Sequence, residues 1–394
     1  MQAHNLQIAR RNLNLCRFCG ICRDAVSCPT EPGSVDCTGC GACYLACPYE
    51  AIEIVPRERA HERKMLIKVI IDGEIFFVPD RITVSDALAF VGYQVSDPCG
   101  VGGCFACAVT IDGETKPACV TAVAEGMRID TVTKPEPLRV VSGFAPHVVG
   151  GVGTPYRLKN YTRPVEVACF LHGCNYRCPQ CQNHVMAFTG GVPMTPENVA
   201  GILIGIAEAY HVGRVAFSGG ESTLNREFLI KAIKLLKTRD SDLRIHVDTN
   251  GSLLTPDYID ELVDTGMTDL GIDLKALSPD TFTKITAVSE DRERYLKISW
   301  DAVKYILDNP DIFVGIGIPY NRALMPLEEI RAMGEKIAQM SRDVQVCLLD
   351  YRAAFRRRDL VPPTVAEMAE AKDALNSVGL RTVIAQTVEG HIGP

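Results

Sequence analysis

The chain has 394 residues, 47% of them hydrophobic, which is enough for one large domain plus smaller ones and excludes a disordered or fibrous protein. Its net charge of -7 and pI near 5.7 argue against a nucleic-acid polymer as main partner, since phosphate binding recruits clustered Lys and Arg. No run approaches the roughly 18 consecutive apolar residues of a membrane span, and Met1 to Arg11 lacks the apolar core of a signal peptide, so a cytoplasmic protein is expected.

Seventeen cysteines in such a chain point to metal ligation more than to disulfides, because a reducing cytosol keeps thiols free. Fifteen fall into three groups: eight from Cys16 to Cys47, four from Cys99 to Cys119 and three from Cys174 to Cys181. Cys169 and Cys347 stand apart among apolar neighbours and read as buried structural thiols.

The first group contains Cys37-Thr-Gly-Cys40-Gly-Ala-Cys43-Tyr-Leu-Ala-Cys47-Pro48, the C-x2-C-x2-C-x3-C-P run of bacterial ferredoxins. Before it stands Cys16-Arg-Phe-Cys19-Gly-Ile-Cys22, followed after five residues by Cys28-Pro29. Zinc knuckles would also satisfy C-x2-C spacing, but the Cys-Pro ending and the repeat suit ferredoxin better. The pair resembles a two-cluster ferredoxin with a two-residue insertion in one half. That resemblance implies that Cys16, Cys19, Cys22 and Cys47 hold one [4Fe-4S] cluster, and Cys37, Cys40, Cys43 and Cys28 another.

Further along, apolar residues alternate from Leu66 to Val78 around Asp72-Gly73, the pattern of a hairpin, and Thr83 to Val91 suits a short amphipathic helix. Cys99-Gly-Val-Gly-Gly-Cys104-Phe-Ala-Cys107, a second turn signal at Asp112-Gly113, and Cys119 follow. This is the C-x4-C-x2-C…C spacing of plant-type [2Fe-2S] ferredoxins, with glycines that let backbone N–H groups face the cluster. The region resembles the beta-grasp [2Fe-2S] domain of the succinate dehydrogenase iron-sulfur subunit, with the order of the two modules reversed.

Thr133 to Arg163 is rich in Pro, Gly and Val and reads as a linker; Gly150-Gly-Val-Gly153 lacks the context of a dinucleotide loop and reads as a hinge. From about Tyr161 the pattern becomes strand-helix. Strand-like runs occur at Val165 to Leu171, Arg214 to Phe217, Leu243 to Val247, Thr268 to Leu274, Ile312 to Ile318 and Val344 to Leu349. Thr195-Pro196-Glu197 and Thr255-Pro256-Asp257 open helices between them. Six such units predict a parallel sheet curled into a partial (β/α)6 TIM barrel, with reactive groups at the C-terminal strand ends.

The motifs obey that rule. Cys174-Asn-Tyr-Arg-Cys178-Pro-Gln-Cys181 follows the first strand, Ser218-Gly-Gly-Glu221 the second and Asp248-Thr-Asn-Gly251 the third, while Asp273-Leu-Lys275 ends the fourth. Three thiols leave one iron of a cubane open, since a [4Fe-4S] cluster takes four ligands. With this combination, residues 161 to about 360 resemble the radical S-adenosylmethionine (SAM) superfamily and, within it, the pyruvate formate-lyase activating enzyme group.

The resemblance implies that Cys174, Cys178 and Cys181 bind three irons while SAM chelates the fourth. Ser218, Gly219, Gly220 and Glu221 would hold the methionyl ammonium, the glycines through exposed carbonyls and Glu221 through its charge. Asp248, Thr249 and Asp273 match positions lining a monovalent cation site beside SAM, and Lys275 matches a SAM-contacting one. The residue before the third cysteine is usually aromatic in the family; here it is Gln180, with Tyr176 as a substitute platform for adenine or as packing beneath the loop. His172 and His184 read as satisfied loop histidines, and Arg352 to Arg358 either recognises a carboxylate, a phosphate or an acidic partner, or forms a solvated face.

The expected organisation is thus multidomain: a two-[4Fe-4S] ferredoxin-like unit over residues 1–62, a beta-grasp [2Fe-2S] domain over 63–132, a linker over 133–160 and a radical SAM partial barrel over 161–394. The expected cofactors are SAM, three [4Fe-4S] clusters, one [2Fe-2S] cluster and a cation near SAM. The expected partners are a low-potential electron donor and either a substrate protein, such as a glycyl-radical enzyme, or a small molecule, with no nucleic acid and no membrane. The favoured activity is reductive cleavage of SAM to a 5'-deoxyadenosyl radical for hydrogen-atom abstraction, with electrons relayed on the chain. Activation of a glycyl-radical enzyme is the alternative, and an electron-transfer subunit is disfavoured by the intact Gly219-Gly220-Glu221 and three-cysteine motifs.

Overall fold

The computed structural model describes residues 7–26, 28, 30–57, 65–159 and 162–394. The expected boundaries at 62/63 and 160/161, and Pro29 of the Cys-Pro pair, lie outside the described residues. The chain forms two compact units. The first comprises 1–141, 171–175 and 183–195, and the second 142–170, 176–182 and 196–394.

In the first unit, β1 (Gln7–Arg11) runs antiparallel to β2 (Ile52–Pro56), pairing Gln7 with Pro56 and Arg11 with Ile52. Between them lie two short helices, α1 (Ile21–Asp24) and α2 (Ala42–Ala46). Each is entered from a glycine in the left-handed region, Gly20 at φ 80° and Gly41 at φ 79°, so the internal repeat is a repeat of backbone geometry as well as of thiols. The core here is small, built on Ala9, Cys37, Cys43, Cys47, Ala51 and Ile52. Three of those six residues are cysteine, which leaves little aliphatic burial to stabilise the module without iron.

A five-stranded sheet follows, ordered β4-β3-β7-β5-β6: β3 (Leu66–Ile71), β4 (Glu74–Pro79), β5 (Ala108–Ile111), β6 (Glu114–Pro117) and β7 (Arg128–Asp130). Both expected turns are present. Asp72-Gly73 (φ 52° and 87°) and Asp112-Gly113 (φ 50° and 87°) put two consecutive residues at positive φ, the geometry that matches strand twist in two-residue hairpins. Helix α3 (Val84–Phe90) starts at a capping box, with Asp86 N donating to Thr83 Oγ1 (3.1 Å) and Thr83 N to Asp86 Oδ2 (3.3 Å).

The segment expected as a linker instead carries strand β8 (Arg139–His147). Its first residues pair with β10 (Pro193–Met194) in the first unit, Val140 opposite Pro193. Pairing partners more than fifty residues away are invisible to composition, which is why a Pro- and Gly-rich stretch misleads. Helix α4 (His184–Phe188) also belongs to the first unit.

The second unit holds a sheet ordered β8-β9-β11-β12-β13-β14-β15-β16-β17. After β9 (Glu166–Leu171) come α5 (Pro196–Tyr210), β11 (Arg214–Gly219), α6 (Arg226–Arg239), β12 (Arg244–Thr249), α7 (Pro256–Thr265), β13 (Asp269–Asp273), α8 (Pro279–Thr286), α9 (Arg292–Leu307), β14 (Phe313–Tyr320), α10 (Leu327–Met340), β15 (Gln345–Asp350), α11 (Val365–Ser377), β16 (Thr382–Thr387) and β17 (Gly390–Ile392). Strands β11 to β16 pair in parallel and β17 is antiparallel to β16. Apolar strands covered by amphipathic helices define an α/β unit. Strands β16 and β17 extend it beyond the six expected.

Gly150 to Gly153 is neither hinge nor phosphate loop. It packs onto the strands: a Cβ on Gly153 would lie 2.6 Å from Gly271 N, and one on Gly315 would collide with Val152 O. The loop is anchored by Gly151 N donating to Glu166 Oε1 (3.0 Å) and by Gln345 Nε2 donating to Val152 O (3.1 Å) and Thr154 O (3.0 Å).

Beneath that loop lies a buried charge network at the beginnings of the strands. Arg214 pairs with Glu166 (3.0 Å) and Asp269 (2.9 Å), and Arg244 with Asp269 (3.0 Å). His246, also buried, bonds Glu166 through Nδ1 (3.1 Å) and Asp248 through Nε2 (2.9 Å). Burial opposes charging of His246, but Asp248 and Glu166 outweigh it and raise its pKa from 6.5 to about 9. At about 1.4 kcal/mol per pH unit that difference is on the order of 3 kcal/mol, fully present below pH 6.5 and lost as pH rises through 9. Wild-type unfolding in urea should therefore show stability falling across that window, and His246→Gln should flatten the slope. An equal slope in both proteins would remove His246 as the cause.

Candidate functional site: cysteine cavities and the strand-end cleft

Cys16, Cys19, Cys22 and Cys47 line one cavity of about 260 Å³ in the first unit. Polar hydrogens point at the sulfurs: Phe18 N at Cys16 (3.4 Å), Arg11 Nη2 at Cys22 (3.5 Å) and Ala51 N at Cys47 (3.4 Å). Donors at that distance stabilise thiolates, the form that binds iron. Burial raises Cys22, Arg11 opposes it, and Cys47 and Cys19 are close enough to add repulsion. Phe18 stands 74% exposed at the mouth.

Cys40 and Cys43 are each within electrostatic reach of Cys28 and Cys37, and Ala9 N donates to Cys37 Sγ (3.5 Å). Burial pushes the Cys43 thiol up to about 12, and the neighbouring Cys40, Cys28 and Cys37 add to it. Cys28 reaches this group in spite of the two-residue insertion before it. Cys99, Cys104, Cys107 and Cys119 are all buried, with thiol contacts from Cys99 to Cys104 and Cys119 and from Cys107 to Cys119. The donor set fits sulfur-ligated iron in all three places.

The three-cysteine motif runs from the first unit, with Cys174, into the second, with Cys178 and Cys181. Its second half is clamped from two sides: Arg177 N donates to Thr286 O (2.8 Å), and Arg356 N and Arg357 N to Pro179 O (3.0 and 3.1 Å). Gln180 is buried and donates to Ile285 O (2.7 Å). Tyr176 packs edge-on against Phe282, centroids 5.4 Å apart, so it supports the loop from below.

Cys178 is raised by burial and drawn back by Lys275. Lys275 Nζ donates to Asp273 Oδ2 (2.9 Å) and Tyr351 Oη (3.1 Å); burial opposes its charge, but Asp273, Tyr351 and Cys178 together outweigh it and hold the ammonium well above the ordinary range. A permanent cation beside the thiol loop is thus built in. Arg352 to Arg358 lies across the same loop, with Arg352 on Asp350 (2.7 Å), Arg357 on Asp359 (2.8 Å) and Arg356 over the Phe355 ring. Much of its charge is committed within the chain.

Ser218 to Glu221 ends β11, with Gly219 at φ 113°. Glu221 is fully buried: Oε1 accepts from Thr223 N (3.0 Å), Thr223 Oγ1 (2.6 Å) and Thr249 Oγ1 (2.6 Å), and Oε2 from Asn250 N (2.7 Å). It therefore ties the Gly219-Gly220 turn to the Asp248-to-Gly251 loop. Ser222 Oγ strengthens the tie by donating to Asp248 O (2.6 Å). The Asp248 carboxylate faces the other way, to His246 and Gly153 N (3.4 Å), because alternate residues of a strand share a face.

His172 is a satisfied loop histidine, its Nδ1 3.1 Å from Thr189 O, and His184 opens α4. Cys169 and Cys347 are buried among apolar strands. Sequence reading missed Glu166, Arg214, His246, Tyr351 and Arg139. A signal existed for two of them, since Val165-Glu166-Val167 and Ile245-His246-Val247 each place one polar residue inside an apolar strand.

Family models match three stretches of the chain: the radical SAM superfamily matches residues 169–344, a 2Fe-2S iron-sulfur cluster binding domain 64–134 and a 4Fe-4S binding domain 35–53. A Methanocaldococcus jannaschii protein named as a glycyl-radical enzyme activating enzyme is 25% identical over 236 residues, 57% of this chain and 92% of that one. PqqA peptide cyclase of Bradyrhizobium diazoefficiens is 27% identical over 206 residues, half of each protein. A Saccharolobus solfataricus protein named for GTP 3',8-cyclase activity is 30% identical over 135 residues, 33% of this chain and 42% of that one. Among solved structures, TYW1 with a lysine-pyruvate adduct aligns at TM-score 0.43 and 18% identity, covering 61% of this chain and 85% of that one. No helix among the described residues is long and apolar enough to cross a membrane.

Proposed function

The chain belongs to the radical SAM superfamily and carries 4Fe-4S and 2Fe-2S binding domains ahead of its radical SAM segment, and from that premise we propose that it reductively cleaves SAM with electrons relayed along its own clusters. When bound, the cluster and SAM supply a 5'-deoxyadenosyl radical that takes a hydrogen atom from the substrate. The chain supplies orientation, electrons and exclusion of water.

The observation that carries this reading is Cys178 beside the Lys275-Asp273 pair at a strand end, in the same unit as the Ser218-to-Glu221 turn. Cys178 and Cys181, with Cys174, would hold the cluster. Gly219 and Gly220 would present backbone carbonyls to the methionyl ammonium, in a turn fixed by Glu221. Lys275 and Tyr351 would offer donors to a carboxylate, and Asp273 would keep Lys275 charged. In this reading Asp248, through its main-chain carbonyl, and Thr249, through its hydroxyl, serve the pocket by anchoring the loop to Ser222 and Glu221, while the Asp248 carboxylate faces away from any cation beside SAM. Three [4Fe-4S] clusters and one [2Fe-2S] cluster complete the set, which suits a reducing, cytoplasmic compartment.

The direct test is anaerobic incubation of the reconstituted chain with SAM and dithionite. It should form 5'-deoxyadenosine and methionine in equal amounts, and their absence would remove the proposal. A [2Fe-2S] relay further predicts that Cys104→Ser loses the [2Fe-2S] signal and slows reduction of the Cys174-Cys178-Cys181 cluster by a protein donor. Unchanged kinetics would make that module peripheral.

The substrate is a second question. The M. jannaschii relative, matched over nearly its whole length, favours abstraction from a glycine backbone, whereas the N-terminal relay extends beyond that match and favours a broader radical enzyme. A glycine-centred radical by electron paramagnetic resonance (EPR) in a copurifying partner would decide for activation.

A further inference from the structure

Gly103 sits between two ligands of the [2Fe-2S] site, and Gly173 immediately precedes Cys174; within the first unit these two glycines touch. A Cβ on Gly173 would lie 3.0 Å from Cys104 Cβ, Cys104 N and Cys99 Cβ. A Cβ on Gly103 would lie 2.9 Å from His172 Cβ and 3.0 Å from Gly173 N. No side chain fits in the seam, and Gly173 is also at φ 86°, where L residues are strained. Main chain therefore lies directly against the Cβ atoms of two cysteines of the [2Fe-2S] loop at this point.

The seam is pinned by a fully buried arginine that no motif predicted. Arg139 donates to His172 O from Nε (3.2 Å) and Nη2 (2.9 Å). The backbone around it closes the link, Val140 N to Gly103 O (3.1 Å) and His172 N to Val140 O (3.0 Å). On its other side the [2Fe-2S] loop shares a cavity of about 280 Å³ with the second ferredoxin motif, lined by Thr38, Gly39, Cys40, Gly100 and Cys119. Cys19 and Phe18 of the first motif face solvent.

We infer that the Gly103–Gly173 contact, held by Arg139, is the electron-transfer seam of this enzyme. It makes the [2Fe-2S] site the immediate donor to the Cys174-Cys178-Cys181 cluster, and the order along the chain is the Cys16-Cys19-Cys22-Cys47 site, the Cys28-Cys37-Cys40-Cys43 site, the [2Fe-2S] site and then Cys174. This rests on the radical SAM reading above. One electron passes per step: the reduced [2Fe-2S] pair returns to all-ferric as the acceptor cluster gains one ferrous equivalent, with no proton moved. A low-potential iron-sulfur or flavin carrier replenishes it at the exposed Cys19 end. Electronic coupling falls steeply with distance, so a seam without side chains serves transfer better than one with them.

The test is EPR power saturation of the [2Fe-2S] signal in the full, reconstituted chain, reduced in steps with and without SAM, in wild type, Cys178→Ala and Gly103→Ala. In wild type the half-saturation power should rise several-fold once the SAM-binding cluster is reduced. The rise should vanish in Cys178→Ala and shrink in Gly103→Ala, while the SAM-dependent change of the [4Fe-4S] signal persists in Gly103→Ala. If that SAM-dependent change is absent from wild type, the functional reading fails and this inference with it. If it is present but [2Fe-2S] saturation is the same in wild type and Cys178→Ala, the seam alone is overturned. Enhancement falling instead on a [4Fe-4S] signal lost in Cys43→Ser would also overturn it, placing entry where α2 meets α4. The wild-type and Cys178→Ala comparison holds even if Gly103→Ala does not fold.

Discussion

Cys178→Ala should abolish formation of 5'-deoxyadenosine from SAM while the EPR signals of the N-terminal clusters remain. The thiol is buried, and the loop that carries it is clamped by Thr286 and by the Ala354-to-Arg357 turn. On the proposed reading Cys178 is one of three protein ligands, and its loss would leave a site too poor in thiolate for a cubane that leaves one iron to SAM. The N-terminal ligand sets sit on separate elements, between β1 and β2 and around β5, and do not depend on Cys178. Anaerobic turnover measured by chromatography decides the matter, and wild-type rates in the variant would sink the assignment. Loss of every cluster signal would instead show that the modules load iron as one.

Arg214→Met should destabilise the α/β unit by about 3–5 kcal/mol, the cost of stranding buried charges by removing their partner. Arg214 is 3% exposed and its partners Glu166 and Asp269 are 1% and 0% exposed. Asp269 would keep Arg244, and Glu166 would keep His246 and Thr154, so the loss falls short of full exposure of two carboxylates. The guanidinium also donates to Gly153 O (2.8 Å), and its removal should loosen the glycine loop laid over the strands. Urea titration at pH 7 measures the effect; a change under 1 kcal/mol would show that water or His246 compensates. The network lies at the strand beginnings, away from the motif-bearing ends, so destabilisation should exceed any direct effect on chemistry.

The contrast between those two sites shows what was legible. Cysteine spacing and strand-end motifs are local: C-x2-C-x2-C-x3-C-P, C-x4-C-x2-C and C-x3-C-x2-C each fit within twelve residues, and ligand geometry dictates them whatever surrounds them. The hairpins at Asp72-Gly73 and Asp112-Gly113 were equally readable, since two consecutive positive φ angles demand such residues. The strand-helix alternation from β9 onward followed from period and caps.

What stayed hidden depends on residues far apart in sequence. Thr133 to Asn160 reads as a linker because Pro and Gly are scored locally, yet β8 finds its partner in β10, and Gly151 to Gly153 find theirs in Glu166, His246 and Gly271. Glu221 reads as a free counter-charge, but Thr249 and Asn250 meet it from a neighbouring strand end. Arg139 has no motif at all; its role exists only because folding sets it against His172. The sequence by itself determined the thiol spacings and strand-end motifs on which the radical SAM reading rests, because bonding to iron is a property of residue type and short spacing. Only the tertiary structure decided which carboxylates are spent on structure and which cysteine loop touches the segment leading into Cys174, because burial and contact at 3 Å are set by packing across more than fifty residues of chain.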